Sequence, residues 1–339
     1  MWLLVLPGVI LVVVYSIVYG SKSRGSGRFI WHYISRYGGY LVPIGYIGLM
    51  GYFFYEFHRH CLPLLQSATH RLWIPLNYPI PIVTIIWGVL SDPGLITRAN
   101  HAKVMSVYPY DRILFMPMNE CRTCHFEKPA RSRHCSTCNG CIALADHHCL
   151  FLNRCIGANN YKQFMAFLFT TLYIFIYGGI VTSSILLRLI PDLLEQGHRG
   201  RDLFRSILRV GRGYRAAACM LILCVLLGII NVVFIAAQVK YIYVGATTNE
   251  VTKWEDVNEL MDEGKLYMYE LPAETKQSIV LQRLSDGTWH RSLNSQEQQL
   301  VSKYKAPLVQ ITSHESVHNI YDEGFRRNLK TRLCSPNWK

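Results

Sequence analysis

Five runs of predominantly apolar residues, about Trp2–Tyr19, Tyr40–Phe57, Leu72–Leu90, Phe164–Leu187 and Ala216–Val239, interrupt the polar positions of this chain. Each reaches the ~17 to 25 residues that a helix needs to cross a bilayer. The pattern therefore predicts a polytopic α-helical membrane protein with about five spans, or four if one fails. The third run is the weakest, because Pro75, Asn77, Pro79 and Pro81 break it. Prolines are nevertheless tolerated in membrane helices where neighbours satisfy the freed carbonyls.

Composition agrees with that reading. Half of the 339 residues are hydrophobic and only 17% are charged, too apolar a balance for an ordinary soluble domain of this size. The first run lacks a basic n-region, and no small-x-small cleavage pattern precedes Ser21, so it reads as an uncleaved anchor rather than a signal peptide. Lys22, Arg24, Arg28 and Arg36 follow it and assign its C-terminal flank to the cytosol. Two further crossings return the chain to the cytosol before Cys121. By the same parity the stretch from Arg188 to Arg215 is lumenal, although it carries seven arginines against Asp192, Glu195 and Asp202. The topology stands because the runs flanking that loop are the cleanest spans in the chain.

Four regions follow: membrane helices over 1–94, a cytosolic cysteine-rich domain over 95–163, two membrane helices with their Arg-rich lumenal loop over 164–243, and a cytosolic tail over 244–339. The stretch Trp254–Lys265 in the tail reads as an ordinary surface helix. Asn231 and Gln238, polar within the last span, are expected to hydrogen-bond between helices. The net charge of +13 invites a nucleic-acid partner. Position argues against one, because the cysteine-rich region is tethered to spans on both sides and its basic residues face a membrane surface or a soluble anion.

Seven of the eleven cysteines and four histidines fall between Cys121 and Cys155. Cys121/Cys124 stand at C-x-x-C spacing, and Cys135, Cys138 and Cys141 follow His134 at three-residue intervals, the vocabulary of structural zinc sites. Parity puts these thiols in the reducing compartment, where cysteines serve metals or catalysis rather than disulfides. Two tetrahedral zincs take eight ligands, so the run holds more candidates than two metals need. Cys149, preceded by Asp146-His147-His148, has the neighbours of an activated nucleophile with a base and an orienting carboxylate. Spacing alone leaves the ligand pairing open.

The stretch Cys121–Tyr161 resembles the cysteine-rich domain of the DHHC protein S-acyltransferases, the membrane enzymes that palmitoylate cysteines. The residues that carry the resemblance are Cys121/Cys124, Lys128-Pro129, Arg131, His134-Cys135, Cys138, Cys141, Asp146-His147-His148-Cys149, Cys155, Asn160 and Phe164. Outside it, Asp92-Pro93-Gly94 is similar to a short motif after a membrane helix of that family, Thr247-Thr248-Asn249-Glu250 to its T-T-x-E motif, and Asn319-Ile320-Tyr321 with Asn328 to its tail element. Together these resemble the fungal branch that acylates SNAREs and other single-span proteins.

The resemblance implies one zinc on Cys121, Cys124, His134 and Cys141 and a second on Cys135, Cys138, His148 and Cys155. It leaves Cys149 as the nucleophile toward palmitoyl-CoA, His147 as general base and Asp146 as its orienter. The acyl group would pass to cysteines of membrane proteins near their spans, SNAREs among them, at a cytosolic face of the endoplasmic reticulum or, alternatively, the Golgi. Arg122, Lys128, Arg131 and Arg133 form a cationic cluster suited to the phosphates of coenzyme A, and the acyl chain would lie among the membrane helices. Thr247, Thr248 and Glu250 are expected to bond to the cysteine-rich domain where the last helix leaves the bilayer. His125 reads as a solvated loop histidine, Cys219 and Cys224 as packing residues, and Cys61 and Cys334 have no partner by spacing.

Two departures from the family pattern stand out: Leu150-Phe151 where a Pro-Trp pair is common, and Arg154 where a second asparagine is usual. A membrane-anchored zinc module that recruits a partner without chemistry is the competing reading, and it has no use for Cys149 or His147. A transporter is disfavoured by the scarcity of ionisable residues inside the spans.

Overall fold

Charge-poor apolar runs must pair every backbone polar group internally once lipid is the solvent, and the helix is the local way to do so. The structure, a computed structural model, describes residues 38–334 except 273–278, 285, 287, 291 and 313–316, so the expected span Trp2–Tyr19 lies outside the described residues. Helix α1 (Leu41–Glu56) continues through a π turn (Phe57–Cys61) and a 3-10 turn (Leu62–Leu64). Helices α2 (Ala68–Asn77) and α3 (Ile80–Leu90) divide the proline-interrupted run at Tyr78-Pro79, because Pro79 has no N–H to continue the ladder. After the short α4 (His101–Met105) come four three-residue strands, β1 (Arg133–Cys135), β2 (Gly140–Ile142), β3 (His147–Cys149) and β4 (Arg154–Ile156). Then follow α5 (Tyr161–Glu195), α6 (Gly200–Val210), α7 (Arg212–Tyr243) and α8 (Thr248–Asp262). The chain closes with β5 (Leu266–Tyr269), β6 (Ile279–Gln282), α9 (Ser295–Tyr304), β7 (Leu308–Gln310) and α10 (Phe325–Leu333).

Among the described residues three helical stretches are long and apolar enough to cross a membrane: Ala68–Leu90, Tyr161–Glu195 and Arg212–Tyr243. The 35 residues of α5 amount to roughly 50 Å at 1.5 Å per residue, more than a hydrocarbon core of about 30 Å, so its ends extend past the lipid. Much of the Arg-rich stretch after α5 is itself helical, as α6.

The chain divides into two compact units. One comprises the residues up to Ser91, Cys149–Arg154 and Lys162–Ala237. Its packed centre holds Cys61, Ile74, Val181, Ile185, Leu189 and Ala217, while Val83, Ile180, Ile229 and Val233 stand exposed, as befits helices whose surroundings are lipid tails. Leu152 is fully buried here, and a Cβ on Gly88 would come within 2.9 Å of its Cδ2. Phe151 meets Tyr46 and Phe167, with ring centroids 6.3 and 6.4 Å away, so an aromatic wall persists without the common Pro-Trp pair. The Nε of Arg154 is buried with no partner among the described residues, and the Oδ1 of Asn231 likewise lacks the inter-helix bond expected of it.

The other unit comprises Asp92–His148, Cys155–Tyr161 and the residues from Gln238 onward. Its strands are short: β1 pairs with β2, β3 with β4, and β5 lies between β6 and β7 in an antiparallel sheet. Helix α8 packs Val257 and Met261 against Leu266, Val280 and Ile311. Gln238 meets its expectation, its Oε1 accepting from the Tyr161 hydroxyl at 3.0 Å.

Candidate active site and metal-ligand groups

In a strand, successive side chains point to opposite faces. The β1–β2 register sets His134 opposite Cys141, and Cys135, the next residue, turns the other way. That alternation explains the interleaved ligand order. Cys121, Cys124, His134 and Cys141 form one group and Cys135, Cys138, His148 and Cys155 a second, each with its ligand atoms within 4.8 Å of one another. His134 Nδ1 lies 3.5, 3.4 and 3.9 Å from the three sulfurs of its group. His148 Nδ1 lies 3.7, 3.4 and 3.7 Å from those of the other. A tetrahedral zinc with ordinary Zn–S and Zn–N bonds separates its S and N ligands by about 3.6 Å, so both groups could hold such an ion. Each C-x-x-C turn also points a backbone N–H at its first sulfur, Cys124 to Cys121 at 3.5 Å and Cys138 to Cys135 at 3.4 Å.

Neither group includes Cys149, a buried, unbridged cysteine at the end of β3. Strand alternation gives His147 and Cys149 one face of β3 and His148 the other. Asp146, immediately before the strand, is buried and accepts four hydrogen bonds. Its Oδ1 takes Thr248 N at 2.8 Å and Arg332 Nη2 at 2.7 Å, and its Oδ2 takes His147 Nδ1 at 2.8 Å and the Thr248 hydroxyl at 3.1 Å. Burial works against the carboxylate. The Arg332 charge, the His147 bond and charge and the Thr248 N–H outweigh it and hold the carboxyl well below the usual range. With Nδ1 engaged by the carboxylate, proton transfer by this imidazole would run through Nε2.

Thr248 is available because of how α8 begins. Thr247 caps it in a reciprocal box with Glu250, and the Thr247 hydroxyl donates to Ala145 O at 3.0 Å. Glu250 in turn holds Arg131: Nε and Nη2 reach its two oxygens at 2.7 and 2.6 Å, Nη2 also reaches Gly245 O at 2.9 Å, and the guanidinium lies 4.5 Å over the Tyr321 ring. The T-T-x-E residues thus bond to the cysteine-rich segment as expected. Asn319 Nδ2 donates to Val244 O, and the Tyr321 hydroxyl to Pro109 O. Asp92 accepts from Gly94 N and Asn159 Nδ2. Gly94, at φ +92°, lets its carbonyl accept from Ala143 N.

Lys128 and Arg133 line a cavity of about 460 Å³ together with Asn249, Thr252, Lys253 and Asp256. Arg133 Nη1 donates to Asn249 at 2.7 Å. The other two cations of the expected cluster are not among its lining residues: Arg122 is exposed on its loop, and the buried Arg131 commits Nε and Nη2 to Glu250 and Gly245. His125 is exposed, as a solvated loop histidine should be. Lys253 was not among the expected residues. It stands 4.0 Å over Phe115, and burial lowers its ammonium pKa, opposed by Glu250 and Asp111. Its signal in the sequence was its spacing, since 249, 252, 253 and 256 share one face of a helix. Arg332 was missed too; it lies one turn beyond Asn328 on α10.

Residues 114–255 match the model of a family described as DHHC palmitoyltransferase. Over 324 residues the chain is 31% identical to a protein of Yarrowia lipolytica named Palmitoyltransferase SWF1, covering 94% of this chain and 85% of that relative. The relative of the same name in Candida albicans is 35% identical over 303 residues, 87% and 80% of the two chains. That of Saccharomyces cerevisiae is 34% identical over 233 residues, 67% and 62%.

Proposed function

The chain belongs to the DHHC palmitoyltransferases, membrane-embedded protein S-acyltransferases, and on that premise we propose that Cys149 is the residue that carries the acyl group. The observation that supports it is the division of ligands. Eight Cys and His residues satisfy two four-ligand groups, and Cys149 is left over, two positions along the chain from a histidine whose Nδ1 is held by a carboxylate. In the first half-reaction His147 takes the thiol proton and the Cys149 sulfur attacks the thioester carbonyl of palmitoyl-CoA. The tetrahedral adduct collapses, the C–S bond to coenzyme A breaks, and the leaving thiolate takes the proton back from His147. In the second, His147 deprotonates an acceptor cysteine, whose sulfur attacks the acyl-Cys149 thioester and releases Cys149. Asp146 keeps the Nδ1 proton in place and stabilises the imidazolium.

The two ligand groups hold one zinc each in this reading. Because β1–β4 are only three residues each, those ions supply much of the folding free energy of the segment. Lys128, Arg133 and Lys253 in the cavity bind the phosphates of coenzyme A. Arg131 drops out of that set, because its guanidinium is buried and already forked on the Glu250 carboxylate. Apolar side chains of the membrane helices surround the acyl chain.

Acceptors are cysteines close to the spans of other membrane proteins, SNAREs among them. The active face is cytosolic, in the endoplasmic reticulum membrane rather than the Golgi. Glycosylation acceptors inserted between Arg188 and Arg215 should then be used and those in the tail should not; the reverse pattern inverts the topology. The chemistry is tested by incubating purified protein with labelled palmitoyl-CoA. Label released by hydroxylamine should appear on the native chain and not on Cys149→Ala.

A further inference from the structure

Helix α10 buries two polar side chains, Asn328 and Arg332, one turn apart on the same face. Asn328 serves its own turn, accepting from Glu323 N and donating to Asp322 Oδ1. Arg332 instead reaches Asp146, 186 positions earlier in the chain, with Nη2 2.7 Å from Oδ1. The ion pair is shut away from solvent, the side chains 4% and 0% exposed, and the guanidinium lies 3.9 Å over the Tyr161 ring.

As a device for holding the tail in place this is a poor arrangement. Desolvating two charges to pair them is often no more stabilising than packing apolar side chains of similar volume. The contact makes sense through the atom it touches. Oδ2 of Asp146 carries His147 Nδ1 and the Thr248 hydroxyl, whereas Oδ1 would hold only the Thr248 N–H if Arg332 were absent. With Arg332, both oxygens are engaged twice, and rotation of the carboxylate about its Cβ–Cγ bond is resisted on both sides.

We infer that Arg332 is a positioning residue for acyl transfer, locking the Asp146 carboxylate so that Oδ2 stays on Nδ1 of His147. The inference rests on the reading of Asp146 and His147 as orienter and base. It makes the last described helix a requirement of the chemistry, acting through Asp146 and touching no substrate.

The test uses the full-length protein in detergent or nanodiscs, comparing Arg332→Leu, Arg332→Lys and His147→Ala with the native chain. Metal content, melting temperature and the initial rate of self-acylation against palmitoyl-CoA concentration are read for each. Arg332→Leu should keep its metal and lose maximal rate roughly 10- to 100-fold, the scale of a slightly misplaced catalytic group, with the half-saturating palmitoyl-CoA concentration unchanged. Arg332→Lys, which keeps a cation within reach of Oδ1, should recover to within about tenfold of the native rate. An unaltered rate in Arg332→Leu, a loss expressed as a raised half-saturating concentration, or a lysine variant no better than leucine would overturn the role. If Arg332→Leu does not fold, Arg332→Lys decides alone: folded and within about tenfold supports it, folded and further down refutes it. Native rate in His147→Ala would instead remove the reading beneath, whereas loss there with no loss in Arg332→Leu removes only the role of Arg332.

Discussion

The metal-ligand groups draw their donors from single short stretches, Cys121 to Cys141 and Cys135 to Cys155, whereas the Asp146 carboxylate is gripped by Thr248 and Arg332, 102 and 186 positions away. Both constructions lie in the same compact unit, and adjacent histidines divide between them. In the proposed reading the ligand groups act as local staples of the cysteine-rich segment. The carboxylate network draws on Thr248 and Arg332 and, in the proposed reading, orients one imidazole. Losing a staple should cost the fold, and losing a grip on Asp146 should cost the reaction.

The largest effect should come from the staples. Cys135→Ser, or stripping the protein with a strong chelator, removes ligation whose apparent worth in small zinc domains is ~10–16 kcal/mol. Elemental analysis should fall from two zincs per chain and the cooperative melt should be lost; an unchanged metal count would contradict the ligand assignment. Cys149→Ser should keep both ions.

Next is the buried pair of Arg131 and Glu250. Glu250→Gln leaves a desolvated guanidinium without its counter-charge, a change that costs about 3–5 kcal/mol in comparable sites, and should lower the melting temperature with metal retained. The double variant Arg131→Met/Glu250→Leu should melt higher than the single one, since neither charge then remains buried. A phosphate-binding role for Arg131 would instead show as weakened acyl-CoA saturation at unchanged stability.

How much of this was legible in the sequence follows from how far each partner lies along the chain. The spans, the C-x-x-C turns and the surplus of Cys149 are local and could be read directly, and the resemblance supplied the ligand pairing that spacing left open. The break at Tyr78-Pro79 was visible as prolines, and α5 outruns the apolar window Phe164–Leu187, its 35 residues exceeding the length a span needs. Long-range pairing was not visible. Arg131 resembled its cationic neighbours, and only its fork on Glu250, 119 positions on, removes it from the cavity; Lys253 enters the cavity through the helical face it shares with Asn249. Arg332 carries no local mark beyond standing one turn from Asn328 on a helix that is otherwise largely exposed.

Smaller effects sharpen the comparison. Thr248→Val removes the hydroxyl from Oδ2 of Asp146 and keeps the backbone N–H on Oδ1. The loss of one hydrogen bond worth ~0.5–1.5 kcal/mol should lower the self-acylation rate roughly two- to twelvefold with metal content intact. Smallest should be single removals in the cavity. Lys128→Ala and Lys253→Ala should each raise the half-saturating palmitoyl-CoA concentration roughly two- to fivefold, an effect that shrinks with added salt, and leave maximal rate alone. A fall in maximal rate without a change in saturation would move those lysines from anion binding to catalysis.

The division between His147 and His148 is tested most directly by measuring zinc content and hydroxylamine-labile self-acylation side by side on purified His147→Ala and His148→Ala. His147→Ala should hold two zincs and native thermal stability while acylation falls ~100- to 10,000-fold, as removal of a general base does. His148→Ala should lose metal and melt early, with acylation lost as a consequence. Were His147→Ala to shed zinc while His148→Ala kept it, the two roles would be exchanged and the account of this site would be wrong.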